Sequence, residues 1–386
     1  MKKPILTALM LFGATYMYAQ FSMDGELRPR TEMRTGTKNS LSNADDESVI
    51  STTQRTRLNM NYKTDVYSMK VSLQDVRTWG SKSTMDKGSE NFLDLHEAWA
   101  EVNLMNNISL KGGRQEVNLD DQRIMGAVGW AQQARSHDMG LLKYNGSFTA
   151  HLGFAFNQDN TVGGSYETMN YLWMHKDFNM FKVSALRLRK DDLVTLGGRI
   201  SGEVNSVKVN LNYYTQEIDG GDLGASLVGI DGGYKISDKV NLGFGYEIQS
   251  GKDAENLAFN PVFGTNHKFN GHMDYFYVGN HGNSVGLDDK FFSIGYKMDK
   301  LKFKMTYHIF NAVSEIQNEN GDIFDGDLGT EIDLALIYPF AEGVTFSLIH
   351  AIYSPTESMQ ELRGGDLDGT NSYSYFEVSI KPKFLN

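Results

Sequence analysis

The chain has no cysteine and few prolines. None of its 386 residues is cysteine, which excludes a disulfide framework and a thiolate metal site. Only 6 residues are proline, and no stretch rich in proline or serine forms a linker. No apolar run approaches the roughly 20 residues of a membrane-spanning helix. We therefore predict one domain over residues 20–386.

The N-terminal segment has the features of a secretory signal peptide. Lys2 and Lys3 form a basic start, and residues 5–14 form an apolar run too short to span a bilayer. Small residues then lead to Ala19. We expect cleavage after Ala19, so that residues 1–19 are a signal peptide and the mature protein leaves the cytoplasm.

The full sequence contains 22 phenylalanines and 19 tyrosines, which favour strands, together with 39 glycines. Apolar and polar side chains alternate in repeated segments, for example over residues 207–213 and 301–309. This alternation places apolar side chains on one face of a strand and polar side chains on the other. Repeated along a chain, it predicts a transmembrane antiparallel β-barrel, apolar towards lipid and polar towards the lumen.

The alternation predicts about 18 strands in an all-β fold. They span residues 20–35, 51–64, 65–77, 92–104, 107–117, 137–145, 147–157, 168–177, 179–190, 192–203, 206–218, 224–236, 239–250, 289–299, 300–312, 328–338, 343–353 and 372–385. Tight turns mostly alternate with long loops, although the connection near residue 191 is a short one among the long loops. In bacterial barrels the short turns are periplasmic, which predicts periplasmic N- and C-termini in a Gram-negative outer membrane.

The face predicted to line the lumen is charged. Arg28 and Arg30 share this face of the first strand, and Arg55 and Arg57 share it on the second. Guanidinium groups stay charged and bind carboxylates through two hydrogen bonds, so a cluster of them favours anions. The net charge of -11 alone would instead suggest a preference for cations. Alternatively, the arginines pair with acidic residues of the first strand and stiffen the wall.

Several segments resemble the alginate export porins in their order and spacing. They are QRTRLNMNY (54–62), VSLQDVRTWG (71–80), LHEAWAEV (95–102), LKGGRQEVNLDDQRIMGAVGWAQQARSHDMGLLKY (110–144) and LGTEIDLALIY (328–338). The resemblance implies an outer-membrane barrel whose narrow lumen is lined by arginines and conducts an anionic polyuronate.

The resemblance also implies which residues form the substrate pathway. Its basic residues are Arg28, Arg30, Arg55, Arg57, Arg77, Arg114, Arg123 and Arg135. Nearby acidic residues offset part of their positive charge, and these are Asp75, Glu97, Glu116, Asp121 and Asp138. The alternation places Arg77 and Arg114 on outward faces, so each needs a bulge or a strand end to reach the lumen.

Two other functions compete with a channel. An outer-membrane hydrolase could use His267, His272, Asp274 and His281 of the longest loop, but the H-E-x-x-H motif is absent. A barrel plugged by the 251–288 loop would act as a surface-binding or adhesion protein, and the sequence leaves open whether that loop folds inward. Acidic outer loops, such as the one around residue 325, would suit calcium or the divalent ions of lipopolysaccharide.

The interpretation that the sequence favours is a porin that passes anionic solutes by passive diffusion. The candidate solutes are carboxylated sugars, oligouronates or an alginate-like polyuronate. No enzymatic activity, metal or cofactor is implied. The expected partners are outer-membrane lipid, lipopolysaccharide and the anionic solute, with no nucleic acid, and we expect a monomer.

Overall fold

The computed structural model describes residues 20–85, 93–156, 166–221, 223–277 and 284–385. The expected signal peptide lies outside these residues. Within them, the chain forms a closed antiparallel β-barrel of 18 strands. The fold class and the strand number predicted from the sequence are thereby confirmed.

The barrel strands follow one another around the sheet. The first half contains β1 (Gln20–Thr35), β2 (Val49–Lys63), β3 (Tyr67–Thr78), β4 (Leu93–Met105), β5 (Ile108–Gln115), β6 (His137–Asn145), β7 (Thr149–Phe156), β8 (Thr168–Asp177), β9 (Phe181–Lys190) and β10 (Leu193–Val204). The second half contains β11 (Val207–Ile218), β12 (Gly224–Lys235), β13 (Val240–Gln249), β14 (Leu287–Met298), β15 (Leu301–Asn311), β18 (Asp327–Ala341), β19 (Val344–Ser354), β20 (Asn371–Ile380) and β21 (Lys383–Leu385). A small hairpin, β16 (Ile316–Gln317) with β17 (Ile323–Phe324), stands in the loop after β15.

One short helix, α1 (Glu357–Arg363), precedes β20 in the described chain. Thr356 caps it, because its side-chain oxygen accepts a hydrogen bond from the Met359 amide at 3.3 Å. No helix among the described residues is long and apolar enough to cross a membrane.

The barrel closes between β1 and the last strand, which consists of β20 and β21. Both prolines of this seam interrupt its hydrogen bonding, because proline has no amide hydrogen to donate. Pro29 lies between the Leu27 and Arg30 pairings with β20, and Pro382 lies in the break between β20 and β21. The Pro382 carbonyl still accepts a hydrogen bond from the Gly25 amide at 3.0 Å.

Side chains alternate between an apolar outer face and a polar inner face. On β7, for example, Leu152, Phe154 and Phe156 are exposed on the outer face at 47%, 49% and 64%. On β2, Arg55 faces inward and is buried. This agrees with its predicted parity, by which we mean the odd or even position in a strand that decides on which face a side chain lies. Exposed apolar side chains all around the barrel provide the band that lipid requires.

Both ends of the described chain lie at one side of the barrel. Gln20 pairs with Lys63 beside the turn between β2 and β3, and Leu385 pairs with Met23 nearby. We call this the short-turn side, which the sequence predicts to be periplasmic. The long loops lie at the opposite side, where residues 191–192 form the short connection noted in the sequence.

Two long loops fold into the barrel, and the core of the protein forms there. They are the 116–136 loop, after β5, and the 250–286 loop, after β13. They join backbone to backbone, since the Gly126 amide donates to the Phe263 carbonyl at 2.8 Å and the Phe263 amide to the Ile124 carbonyl at 3.0 Å. The described part of the 250–286 loop therefore folds inward. The sequence alone had left the direction of this loop open.

Candidate functional site

The antiparallel register of β1 and β2 brings the predicted arginines together. Arg28 lies directly opposite Arg55, and Glu26 lies opposite Arg57. Like charges placed opposite each other destabilise a sheet, so the cluster needs carboxylates. It has three: Glu26 pairs with Arg55 (2.6 Å), Glu116 with Arg57 (3.4 Å), and Glu377 with Arg30 (3.3 Å) and Arg28 (3.6 Å).

The arginines also bind the backbone of the 116–136 loop. Each carbonyl from residue 129 to residue 133 accepts a hydrogen bond from a side chain of the barrel wall; we call this segment the 129–133 turn. The bonds run from Arg28 to Gly129 (2.9 Å), Trp130 (3.0 Å) and Ala131 (3.1 Å), from Arg30 to Trp130 (2.6 Å), from Arg55 to Gly129 (3.3 Å), Ala131 (3.2 Å) and Gln132 (3.3 Å), and from Gln74 to Gln133 (3.0 Å).

Two side chains of the turn add further contacts. The Gln132 side chain is buried and accepts hydrogen bonds from Arg28 at 3.1 and 3.2 Å. Its amide donates to the Thr53 hydroxyl at 3.1 Å. The Trp130 ring lies under the Arg30 guanidinium, 4.5 Å from the ring centroid, and stacks on His267 of the other inward loop.

A cavity of about 810 Å³ extends from the short-turn side to this turn, and we call it the vestibule. Gln20 and Ser22 line its outer part, and Gly129 lines it where it meets the turn. Basic side chains outnumber acidic ones by five to three: Arg28, Arg55, Arg57, Lys381 and Lys383 against Asp24, Glu26 and Glu116. The side chains that line the vestibule therefore carry an excess of two positive formal charges, although the whole chain is acidic.

The two predicted arginines of the 116–136 loop tie it to other parts of the interior. Arg123 is buried, pairs with Glu247 and donates to the Asn270 side chain at 3.0 Å. Arg135 donates to the Phe263 carbonyl and, at 3.3 Å, to the Gly264 carbonyl. Burial lowers the pKa of Arg135 to about 10, which leaves it charged near neutral pH. Both arginines stabilise the inward loops and stand apart from the vestibule.

Three of the predicted acidic residues also lie inside the barrel. Asp121 pairs with Arg199, and Glu97 pairs with Lys70, so wall residues that the sequence analysis did not name balance them. Glu116 bonds His96 at 2.7 Å. Burial would raise the pKa of Glu116, but the hydrogen bond from His96 and the charge of Arg57 hold it below its usual range.

Four predicted residues lie away from this cluster, on the outer face near the long-loop side. Arg77 binds Asp75 at 2.7 Å, and Arg114 binds Asp138 at 2.7 Å. Gly113 has a φ of 118°, yet Arg114 still lies opposite Ala98 and Asp138 without a bulge between them. The bulge lies instead on β4, where two consecutive residues, His96 and Glu97, are both buried.

Among the described residues, one group brings three possible metal ligands within 4.8 Å, and it contains His96, Glu97 and Glu116. Lys70 binds Glu97 and Arg57 binds Glu116, so cationic side chains already occupy the carboxylates. The acidic loop around residue 325 does not form such a group.

The other part of the lumen has a different character. A cavity of about 350 Å³ lies against β10 to β18, beneath residues 267–272. Its charged and histidine side chains are Asp121, Asp231, Glu247, Asp289, Asp333, Arg199, Lys268, Lys304, His267, His272 and His308. Carboxylates outnumber lysines and arginines here, so the lumen has a basic part and an acidic part. Parity could have identified the wall residues among them, because they alternate with outward apolar residues.

The residues considered for a hydrolase form a buried network. His267 bonds Asp274 at 2.6 Å and His272 at 3.3 Å, while His281 lies outside the described residues. Residues 282–286 also read G-N-S-V-G, a nucleophile-elbow pattern that the sequence analysis missed. The elbow requires a strand followed by a helix, but Ser284 leads directly into β14 and its hydroxyl accepts from the Gly286 amide at 3.0 Å.

Known proteins share the sequence pattern of part of the chain and the fold of nearly all of it. Residues 19–155 match the alginate export family. OccAB4 of Acinetobacter baumannii superposes with a TM-score of 0.68 at 15% identity, over 95% of this chain and 98% of that chain. The outer membrane protein OpdK of Pseudomonas aeruginosa gives 0.67 at 11% identity, over 95% and 99%. OpdK with vanillate gives 0.66 at 12% identity, over 94% and 99%.

No curated protein sequence matches the chain. The family match and the fold nevertheless point to a transport channel rather than to an enzyme. The protein is an outer-membrane β-barrel of a Gram-negative bacterium with the fold of porins, and its residues 19–155 carry the sequence pattern of the alginate export family.

Proposed function

We propose that the protein is a passive channel for anionic solutes that carry carboxylates, such as sugar acids or oligouronates. The observation that carries this proposal is the vestibule, with its five basic and three acidic side chains. An entering carboxylate meets a positive potential there and finds guanidinium groups that bind it through paired hydrogen bonds. OpdK, which shares the fold, has been solved with vanillate, and this supports a carboxylate as the solute.

The pathway residues that we propose are those of the vestibule wall, with Arg28, Arg55 and Arg57 as the main anion-binding groups. Periplasmic termini would place the vestibule at the periplasmic entrance. The apolar outer face on strands throughout the barrel supports a monomer in contact with outer-membrane lipid and, at the long-loop side, with lipopolysaccharide.

The test is the reversal potential of the Arg55→Ala, Arg57→Ala double variant in planar bilayers under a KCl gradient. The vestibule would keep three basic and three acidic side chains, so we expect its anion preference to fall close to none. The matched control is Arg77→Ala with Arg114→Ala, which removes the same charge from the outer face. An unchanged reversal potential in the first variant, or an equal shift in both, would refute the proposal.

A plugged barrel that acts as a surface-binding protein is the second candidate. The hydrogen bonds between the wall arginines and the 129–133 turn favour it, because they occupy the groups that would bind a solute. The two candidates differ in conductance. A plugged barrel conducts no ions at any voltage, whereas the channel conducts and discriminates between anions and cations.

A further inference from the structure

We propose that the 129–133 turn is a latch, which the carboxylate of an entering solute displaces, so that the solute opens its own path. This inference rests on the proposed function. It adds to that function the atoms that receive the carboxylate and the regulation of the same site.

The first argument is a competition for the same donors. Arg28 and Arg55 both line the vestibule and both donate to the Gly129 carbonyl, at 2.9 and 3.3 Å. A carboxylate carries a full negative charge and accepts two parallel hydrogen bonds from one guanidinium, whereas a backbone carbonyl is neutral and offers a single oxygen. A solute in the vestibule therefore reaches the groups that hold the turn and outcompetes the carbonyl.

The second argument is a guanidinium N–H group on Arg57 that is not used in any hydrogen bond among the described residues. Arg57 gives its Nε to the Gln74 side chain at 2.6 Å and its Nη1 to Glu116 at 3.4 Å. Its Nη2 is buried and has no hydrogen-bond partner among the described residues. Buried donors without a partner are rare in folded proteins, and this one belongs to a side chain that lines the vestibule. Neither of these Arg57 bonds involves the turn, so a shift of the side chain that exposes Nη2 gives a carboxylate its first contact before any bond to the turn is broken.

The third argument is backbone strain at the two ends of the turn. Val128 has a φ of 50° and Ala134 a φ of 54°. Residues with a side chain rarely adopt this left-handed conformation, least of all a β-branched valine. The wall contacts hold these residues in place, and the strain is relieved when the turn leaves. Val128 and Ala134 are therefore the hinges of the latch.

The latch is also asymmetric. The vestibule opens towards the short-turn side, so a solute from that side meets the arginines without an obstacle. From the long-loop side, the two inward loops cover the turn, where Met125 pairs with Phe263 and Trp130 stacks on His267. Carboxylates added from the short-turn side should therefore open the channel more readily.

The native chain has no cysteine, which allows a crosslink to test the latch. In Thr53→Cys with Gln132→Cys, two side chains now in contact would be joined by a short, reducible bis-methanethiosulfonate. The single variants Thr53→Cys and Gln132→Cys, treated with the same reagent, are the controls. Single-channel currents are recorded with sodium glucuronate added to either side, against sodium chloride of equal ionic strength.

We expect glucuronate, added at the short-turn side, to raise the open fraction of the wild-type channel about tenfold over chloride. The crosslinked double variant should stay closed, and reduction should restore its opening. A crosslinked channel that still opens, or a wild-type channel that responds to chloride and glucuronate alike, overturns the latch. If anion selectivity persists in that case, the proposed function stands; a channel with no anion preference overturns both.

Discussion

The Gln132 side chain provides a test of the latch that leaves every charge in place. It accepts two hydrogen bonds from Arg28, and its amide lies 3.1 Å from the Thr53 hydroxyl and 3.3 Å from the Arg28 carbonyl. Gln132→Met has a similar size and removes these contacts. We expect the turn to leave the wall more often, while the anion preference of the channel stays the same.

The magnitude follows from the number and the length of these bonds. Hydrogen bonds between neutral groups contribute about 0.5–1.5 kcal/mol each, and those to charged groups contribute more. The bonds of Gln132 are long, at 3.1 to 3.4 Å, so we take the low end of this range. A total loss of about 2 kcal/mol would shift the opening equilibrium roughly thirtyfold.

The assay is the open fraction in single-channel recordings at fixed voltage and salt. Gln133→Met is the matched control, because the neighbouring Gln133 is exposed and only its carbonyl takes part in the turn. We expect a large rise in the open fraction for Gln132→Met and little change for Gln133→Met. Equal open fractions in Gln132→Met and wild type would refute the reasoning.

Two further predictions concern the inward loops. Val128→Gly relieves the strain of the docked turn, whose φ of 50° suits glycine, so it should lower the open fraction; a higher open fraction would contradict the hinge. Burial lowers the pKa of His272 to about 4, with Asp333, His267 and Asp274 nearby. A free histidine titrates near 6.5, so the undocked loop takes up the proton first, and docking should weaken as the pH falls from about 6.5 towards 4, by up to about 3 kcal/mol. The open fraction measured against pH should therefore rise in acid, and less so in His272→Gln; identical pH curves would exclude His272 as the cause.

Parity was sufficient to predict the barrel and the arginine cluster. A strand beside lipid on one face and water on the other must alternate, and the side chains of Arg28 and Arg55 follow from this alone. The same rule placed Arg77 and Arg114 on the outer face, where the structure has them.

The occupation of the arginines by the 129–133 turn could not be predicted. The arginine bonds join residues 74 to 103 positions apart in sequence, and their acceptors are backbone carbonyls, which leave no trace in a residue pattern. One signal was available, however. Leu186 and Leu188 are buried on the inner face of β9 and pack with Ile124 of the 116–136 loop. Apolar residues on an inner face indicate that something other than water fills that part of the lumen.

Local irregularities also limit what parity can predict. The bulge on β4 places both His96 and Glu97 on the inner side, whereas a regular strand would turn one of them outward. Pro382 divides the last predicted strand into β20 and β21. The bulge shifts the alternation on β4 by one residue, since Gln74 of β3 lies opposite Asp94 on one side of it and Ser72 lies opposite Glu97 on the other.

The most direct test of the anionic channel is the reversal potential of the wild-type protein in a planar bilayer under a KCl gradient. The electropositive vestibule predicts that chloride permeates more readily than potassium, and that oligouronates reduce the chloride current as they enter. A preference for potassium would mean that the acidic part of the lumen controls permeation, and it would contradict the role assigned here to Arg28, Arg55 and Arg57.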